Sequence, residues 1–379
     1  VLHLPYKPAG WDAKTHLDEE DKETEFMGID LDAQDIENLP AYVLQKKVID
    51  KPKFVFLFGA GASYGSDGKH LHAADKLPPL GKDLFVKLST DTALRTWNNL
   101  SSEIKDLFGS KHFEEAMDYL DNTQNWADES VQRDLDLFRY FSRFSPQPSN
   151  LYWKLSILIS RKLSSQSWSG AIATLNYDRM IEESLMRNKV FTVVKGVTFY
   201  DDNLPRLSDN QLIEVCYPHG ACQFFLGQNW FQGEGNIVFG PDSRAVQTAG
   251  VNHILKKDNI PIACDKKQIP MICRYQSSKR PTVKNYFIDL QQERTQQIIQ
   301  TAESITIIGV YCSFKTDNHI WDALDKSNAI IHYLEPSLQS QNLFREWAEA
   351  ANKKEVSDYV IKGHSFKDGF EYMKAVNSL

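Results

Sequence analysis

Four short stretches of the chain hold residue types that do chemistry, and each follows an apolar run. Gly59-Ala60-Gly61-Ala62-Ser63 comes straight after the run Phe54 to Phe58. Glycines at such a point let the backbone turn tightly and approach a pyrophosphate, whose charge is held by the N–H groups of a helix start. The third glycine of the usual GxGxxG pattern falls on Tyr64, with Gly65 one place late, so an ordinary strand-to-helix turn is the competing reading. Thr174-Leu175-Asn176-Tyr177-Asp178 follows the run Gly170 to Ala173. Asn176 offers both a donor and an acceptor to a sugar or a water, and the Asp178 carboxylate lies on the same side of an extended chain. Both residue types also cap helices, which is the plain alternative.

Tyr217-Pro218-His219-Gly220 follows the run Leu212 to Cys216. A histidine suits proton transfer near neutrality, and the flanking Pro218 and Gly220 would fix its loop and clear space for a ligand; a structural histidine is the alternative. The fourth stretch is Gly309-Val310-Tyr311-Cys312-Ser313, followed by Asp317. Such a turn can receive an adenosine ribose on backbone amides and the Ser313 hydroxyl, or it is an ordinary strand-to-helix loop. Nothing in the sequence marks Cys312 as a thiolate, so a small buried residue is expected there.

The elements that must position these residues read as an α/β chain. The continuous apolar run Lys53 to Gly59 predicts a strand buried on both faces of a parallel sheet. A strand over Gly170–Asn176 followed by a helix over Arg179–Leu185 repeats the alternation of a doubly wound fold. Further strands are expected at Phe191–Val194, Leu212–Tyr217 and Gly235–Phe239, then a helix over Glu293–Ala302. Strands at Ser304–Gly309 and Ala329–Leu334, separated by a helix over Asn318–Lys326, have the spacing of a βαβ crossover. A strand at Asp358–Ile361 and a helix over Phe366–Val376 close the chain. The expected fold is a Rossmann-like doubly wound parallel sheet at 51–82 and 166–379, with a helical insertion subdomain at 83–165. Residues 1–50 form an acidic N-terminal arm, helical near Leu31–Leu39.

Composition narrows the classes. With 379 residues, 42% hydrophobic and 25% charged, the chain can bury a large core and reads as a soluble globular protein. No apolar stretch is long enough to span a bilayer, and Val1–Asp50 lacks the layout of a signal peptide, so a cytoplasmic protein off the membrane is expected. A net charge of −7 argues against direct nucleic-acid binding through phosphates. The 5 cysteines, an odd number with no secretion signal, are expected to be reduced thiols, and without a CxxC pair no metal site is assigned.

Taken in order, GAGAS at 59–63, TLNYD at 174–178, PHG at 218–220 and GVYCS at 309–313 resemble the sirtuin superfamily over roughly Lys53 to Ser337. The resemblance implies that Gly59, Ala60, Gly61 and Ser63 hold a pyrophosphate. It places Gly309, Ser313, Asp317 and Glu335 on the adenosine half. It also implies that Asn176, Asp178 and His219 do the chemistry. The chain departs from protein-deacylating sirtuins in lacking the two CxxC pairs of a zinc ribbon, in carrying Tyr177 within the second motif, and in the segment Pro78–Gly81 with the helical block after it. In these respects it looks like the zinc-free sirtuin-like domains of bacterial anti-phage systems, which are NAD glycohydrolases. That likeness implies NAD as substrate, no zinc, a homo-oligomer, and a partner such as a HerA-like ATPase or a short Argonaute-type protein. A deacylase, an ADP-ribosyltransferase and a non-catalytic NAD or ADP-ribose sensor are the other readings.

Overall fold

The computed structural model describes residues 51–67, 77–110, 113–123, 127–165, 169–200, 211–226, 238–239, 245–246, 250–273, 286–314, 317–351, 359–362 and 366–376. The acidic arm at 1–50 lies outside them, with the helix expected there. Strand β1 (Phe54–Phe58) is buried from Val55 onward because both of its faces are covered. Val55 and Leu57 enter one hydrophobic core, Phe56 and Phe58 the other. A strand with two buried faces has no polar side to alternate with, which is why the sequence shows an unbroken apolar run.

β1 pairs in parallel with β2 (Gly170–Thr174) on one side and with β11 (Ser304–Ile308) on the other. Outside β2 lie β5 (Leu212–Cys216) and β3 (Phe191–Val193); outside β11 lie β12 (Ile330–Leu334) and β13 (Tyr359–Lys362). The seven strands run in the order β13-β12-β11-β1-β2-β5-β3, all parallel. The chain builds outward from β1 through β2 to β3 and β5, then returns to β11 on the opposite side. The topological switch therefore falls between β1 and β11, at whose carboxyl ends an open parallel sheet presents a ligand crevice.

Helices cover both faces. The core of Val55 and Leu57 is closed by Ile298 and Ile299 of α10 (Tyr286–Thr301), Ile320 and Trp321 of α11 (Asn318–Asp325) and Phe344 of α12 (Leu338–Ala350). The core of Phe56 and Phe58 is closed by α7 (Leu151–Ser164), α8 (Met180–Arg187) and α13 (Phe366–Val376). Asn150 starts α7 by accepting the Tyr152 N–H at 2.9 Å, which satisfies one of the donors a helix start leaves open. Between β1 and α7 lie α2 (Gly81–Thr90), α3 (Arg95–Asn98), α4 (Ser102–Ser110), α5 (Phe113–Thr123) and α6 (Ala127–Phe141), and α9 (Asn259–Asp265) packs against α6. Trp97 binds this block together against Phe108 and Phe113.

A second sheet, of four strands, is not among the expected elements. It consists of β4 (Val197–Tyr200), β6 (Gly220–Leu226), β9 (Val251–His253) and β10 (Pro270–Ile272). β6 is buried at every position and so shows no alternation, while the others are too short to stand out. The strand expected at Gly235–Phe239 is reduced among the described residues to β7 (Val238–Phe239), paired with β8 (Ala245–Val246). No helix among the described residues is long and apolar enough to cross a membrane.

Candidate functional site

The two glycine turns meet at the switch point. Gly59 donates its N–H to the Ile308 carbonyl at 3.0 Å and Gly61 donates to the Gly309 carbonyl at 2.9 Å. Gly309 has φ of +62°, and a Cβ there would stand 2.1 Å from the Ala62 nitrogen; a Cβ on Gly59 would stand 2.5 Å from the Gly309 oxygen. Backbone therefore touches backbone, and no side chain fits between the turns. Gly309 also donates to the Leu334 carbonyl at 3.0 Å. The amides of Gly59, Gly61 and Gly309 are thus committed to the neighbouring strand ends, and these glycines act by permitting close approach rather than by donating. Ala60 is the exposed residue of the turn and heads the short helix α1 (Ala60–Tyr64).

Beneath this turn lies a buried polar network. Asn176 donates through Nδ2 to the Gly59 carbonyl at 3.0 Å and to Ser63 Oγ at 2.9 Å, while Ser63 Oγ lies 3.2 Å from the Tyr152 hydroxyl. The same amide's Oδ1 is buried and has no hydrogen-bond partner. A buried acceptor left open is costly unless a donor is supplied to it. Asp178 accepts the Met180 N–H at 3.0 Å, which makes it the brace of α8, as the capping alternative holds. Burial pushes the Asp178 carboxyl up to about 6, with the Met180 N–H and Ser63 pulling the other way. Burial and the nearby Asp178 charge push the Tyr152 phenol well above its usual range, so it remains protonated.

His219 sits at the end of β5 and is held from three sides. Gly220, with φ of +74°, donates to the Tyr217 carbonyl at 2.8 Å and closes the turn. The His219 carbonyl accepts the Cys273 N–H at 2.8 Å, and the Tyr217 N–H donates to Gln291 Oε1 at 2.8 Å. β5 itself is tied to α10 by a buried two-pronged pair, Arg294 to Glu214 at 2.6 and 2.8 Å. The His219 ring faces Asp317, with Nε2 3.2 Å from Oδ1, and packs edge-on against His319 at 5.3 Å between centroids.

Asp317 is expected on the adenosine half, but its carboxylate lies against His219. It stands at the N-cap of α11 without making the usual side-chain capping bond, so its oxygens turn toward the imidazole instead. His319 lies outside the four sequence motifs. Its only local signal is the Asp-x-His spacing at 317–319, and β5 and α11 come together only in three dimensions.

The loop of His219 has a buried foundation. Glu182 of α8 accepts from Arg179 Nη2 at 2.8 Å, from the Tyr217 hydroxyl at 3.0 Å and from Gln223 Nε2 at 2.9 Å, and it lies 2.9 Å from His253 Nε2. Burial alone would raise its carboxyl, but His253 and Arg179 outweigh that and hold it down at about 2. One carboxylate thereby joins α8, the His219 turn and the second sheet.

The remaining expected residues lie on the β11 and β12 side. Ser313 is half-buried in the loop after β11, and its carbonyl accepts the Asp317 N–H at 3.3 Å. Glu335, at the end of β12, accepts the Ser337 N–H at 2.9 Å, and burial raises its carboxyl. All five cysteines are buried free thiols, and burial pushes Cys312 up to about 12, which removes it as a nucleophile near neutrality. Among the described residues, the one group of three or more potential metal ligands is His219, Asp317 and His319.

No family model matches the chain, and no curated protein matches it. Among solved structures it is similar to a Sir2 homologue in complex with NAD, at 12% identity over 88% of this chain and 92% of that one, with a TM-score of 0.39. It is also similar to a mutant Sir2 homologue with ADP-ribose (13% identity, 82% and 97% covered, TM-score 0.33) and to Sir2Tm bound to a propionylated peptide (9%, 89% and 97%, 0.32). Identities and scores this low assign neither a family nor a ligand to the chain.

Proposed function

We propose that the chain is an NAD glycohydrolase, which cleaves NAD to nicotinamide and ADP-ribose. The observation that carries this reading is the juxtaposition, along one carboxyl edge of the sheet, of glycine turns in backbone contact, the open buried Oδ1 of Asn176, and a histidine backed by a carboxylate. The order of sequence motifs that resembles sirtuins supports the choice of NAD among dinucleotides.

The chemistry follows from what the reaction needs. The bond between ribose C1′ and the nicotinamide nitrogen breaks, and its electron pair leaves with nicotinamide, whose ring loses its positive charge. Positive charge develops at C1′, and a water oxygen adds there while its proton passes to a base. The pyrophosphate would lie over the paired glycine turns, where Ala60 is exposed, with Ser63 fixed beneath it. Asn176 Oδ1 accepts from a ribose hydroxyl or from the attacking water. His219 takes the proton, and the Asp317 carboxylate beside it stabilises the imidazolium that forms. Asp178 caps the start of α8 through the Met180 N–H and adds negative charge beside Ser63 when ionised. Ser313 and Glu335 stand on the side where the adenosine half would lie.

The finer role is also a proposal. An unrestrained NAD hydrolase would exhaust its host, so the activity is gated, as in an abortive-infection effector that acts when a partner or its own oligomer completes the site. A HerA-like ATPase and a short Argonaute-type protein are the partners to test. Water rather than a protein side chain is the acceptor in this reading, and cleavage in ¹⁸O-labelled water tests it. One label at C1′ of ADP-ribose per nicotinamide released supports hydrolysis; unlabelled ribose transferred to a protein or acyl group supports a transferase or deacylase.

A further inference from the structure

We propose that His219, Asp317 and His319 form a three-ligand site for a divalent transition-metal ion of zinc's type, and that the bound ion switches off the chemistry of His219. Each residue offers one ligand atom, and these atoms lie within 4.8 Å of one another. The His219 Nε2 and Asp317 Oδ1 are already 3.2 Å apart. Four-coordinate zinc with bonds of about 2.0–2.2 Å separates its ligand atoms by roughly 3.3–3.6 Å, close to the separation of the first pair, and a side-chain rotation brings in the third. Two imidazoles and one carboxylate suit zinc or cobalt and disfavour magnesium or calcium, which take oxygen ligands.

The supports are rigid on both sides. His219 is fixed by its carbonyl bond from Cys273 and by the Gly220 turn, while Asp317 is the N-cap of α11 and His319 its second residue. Asp317 and His319 share one helix end two positions apart, so both approach the ion from that side and His219 from the other. A fourth position stays open for water. The single ligand charge, and the adverse dipole of a helix start toward a cation, both weaken the hold on the ion.

An ion here takes the imidazole lone pair that the proposed reaction needs for the water proton, and it claims the carboxylate that would stabilise the imidazolium. The inhibitory half of the inference rests on the reading of His219 as base; the metal-binding half does not.

Full-length protein dialysed against a chelator is titrated with Co²⁺ and then Zn²⁺. The expected result is one Co²⁺ per chain, visible d–d bands of four-coordinate intensity, and their loss as Zn²⁺ displaces the cobalt. His319→Ala and Asp317→Asn each weaken the binding at least ~10-fold, while His332→Ala, a control histidine paired with Tyr372, leaves it unchanged. Thermal melts of each variant show that the fold persists. Absence of the bands, or binding indifferent to His319→Ala and Asp317→Asn, overturns the site. In the activity arm, micromolar Zn²⁺ suppresses nicotinamide release and EDTA restores it. The Zn²⁺ needed for half-suppression rises at least ~10-fold in His319→Ala, measured against that variant's own metal-free rate. Stimulation by Zn²⁺ overturns the inhibitory half. A protein that binds cobalt but never releases nicotinamide refutes the hydrolase reading and leaves the metal site standing.

Discussion

The side-chain amide of Asn176 donates to the backbone carbonyl of Gly59 at 3.0 Å, across 117 positions of sequence. The residue whose buried oxygen has no hydrogen-bond partner is therefore also the tie between the end of β2 and the glycine turn of β1. Asn176→Ala removes two donated hydrogen bonds from buried acceptors, and it is expected to destabilise the fold by about 1–3 kcal/mol. Asn176→Asp costs at least as much, because an acceptor then faces the Gly59 carbonyl. Urea denaturation of both variants checks this; unchanged midpoints would show that the tie carries no stability.

Asp317 is a positioning residue for His219 in this account, not an adenosine contact. Asp317→Asn is expected to lower kcat for NAD cleavage by about 10- to 100-fold with little change in KM, a smaller effect than the loss of roughly 10²–10⁴-fold expected for His219→Ala. A rise in KM at constant kcat would return Asp317 to the binding role suggested by its sequence motif.

The contact between turns makes Gly309 a sensitive position. Gly309→Ala places a Cβ 2.1 Å from the Ala62 nitrogen at a φ of +62°, so a loss of at least about 2 kcal/mol is expected. Gly81→Ala, where a Cβ meets nothing within 4 Å, serves as the contrast and is expected to be neutral or to stabilise by about 0.4–1 kcal/mol. Equal midpoints for the two variants would contradict the packing of the turns.

Two buried carboxylates give opposite pH signatures. Asp178 is raised from its ordinary 3.8 to about 6, so the folded state holds its proton longer than the unfolded chain does, and stability falls as pH rises from about 4 to about 6. The gap of roughly two units corresponds to an order of 3 kcal/mol. Asp178→Asn removes this dependence, and the variant gains on the wild type as pH rises through that window. Glu182 is lowered from 4.5 to about 2, so its contribution is complete above pH 4.5 and disappears as pH falls toward 2. Glu182→Gln leaves Arg179 buried without its partner charge and is expected to lose about 3–5 kcal/mol at neutral pH. Melting curves between pH 3 and 8 separate the two effects; identical pH profiles for wild type and Asp178→Asn would refute the first.

Much of the sheet was legible because its central strands are buried on both faces. Runs such as Phe54–Phe58 and Ser304–Ile308 admit few other readings, and each ends in glycine at the crevice. Asn176 and His219 were legible for the same reason, since each follows such a strand directly. The second sheet was hidden because Gly220–Leu226 lacks alternation and its partners are three or four residues long. The partnership of His219 with Asp317 and His319 could not be read from spacing, because it is made by the approach of α11 to the end of β5. Nor does a motif reveal which amides remain to donate: the glycine N–H groups assigned to a pyrophosphate are bonded to Ile308 and Gly309.

The central claim is that these residues together break the nicotinamide–ribose bond. Its most direct test is chromatography of NAD incubated with the wild type, with Asn176→Ala and with His219→Ala, alone and with a HerA-like ATPase. The account predicts nicotinamide and ADP-ribose in equal amounts from the wild type, and losses of about 100-fold or more in both variants. Intact NAD under every condition, or full turnover by both variants, would contradict it.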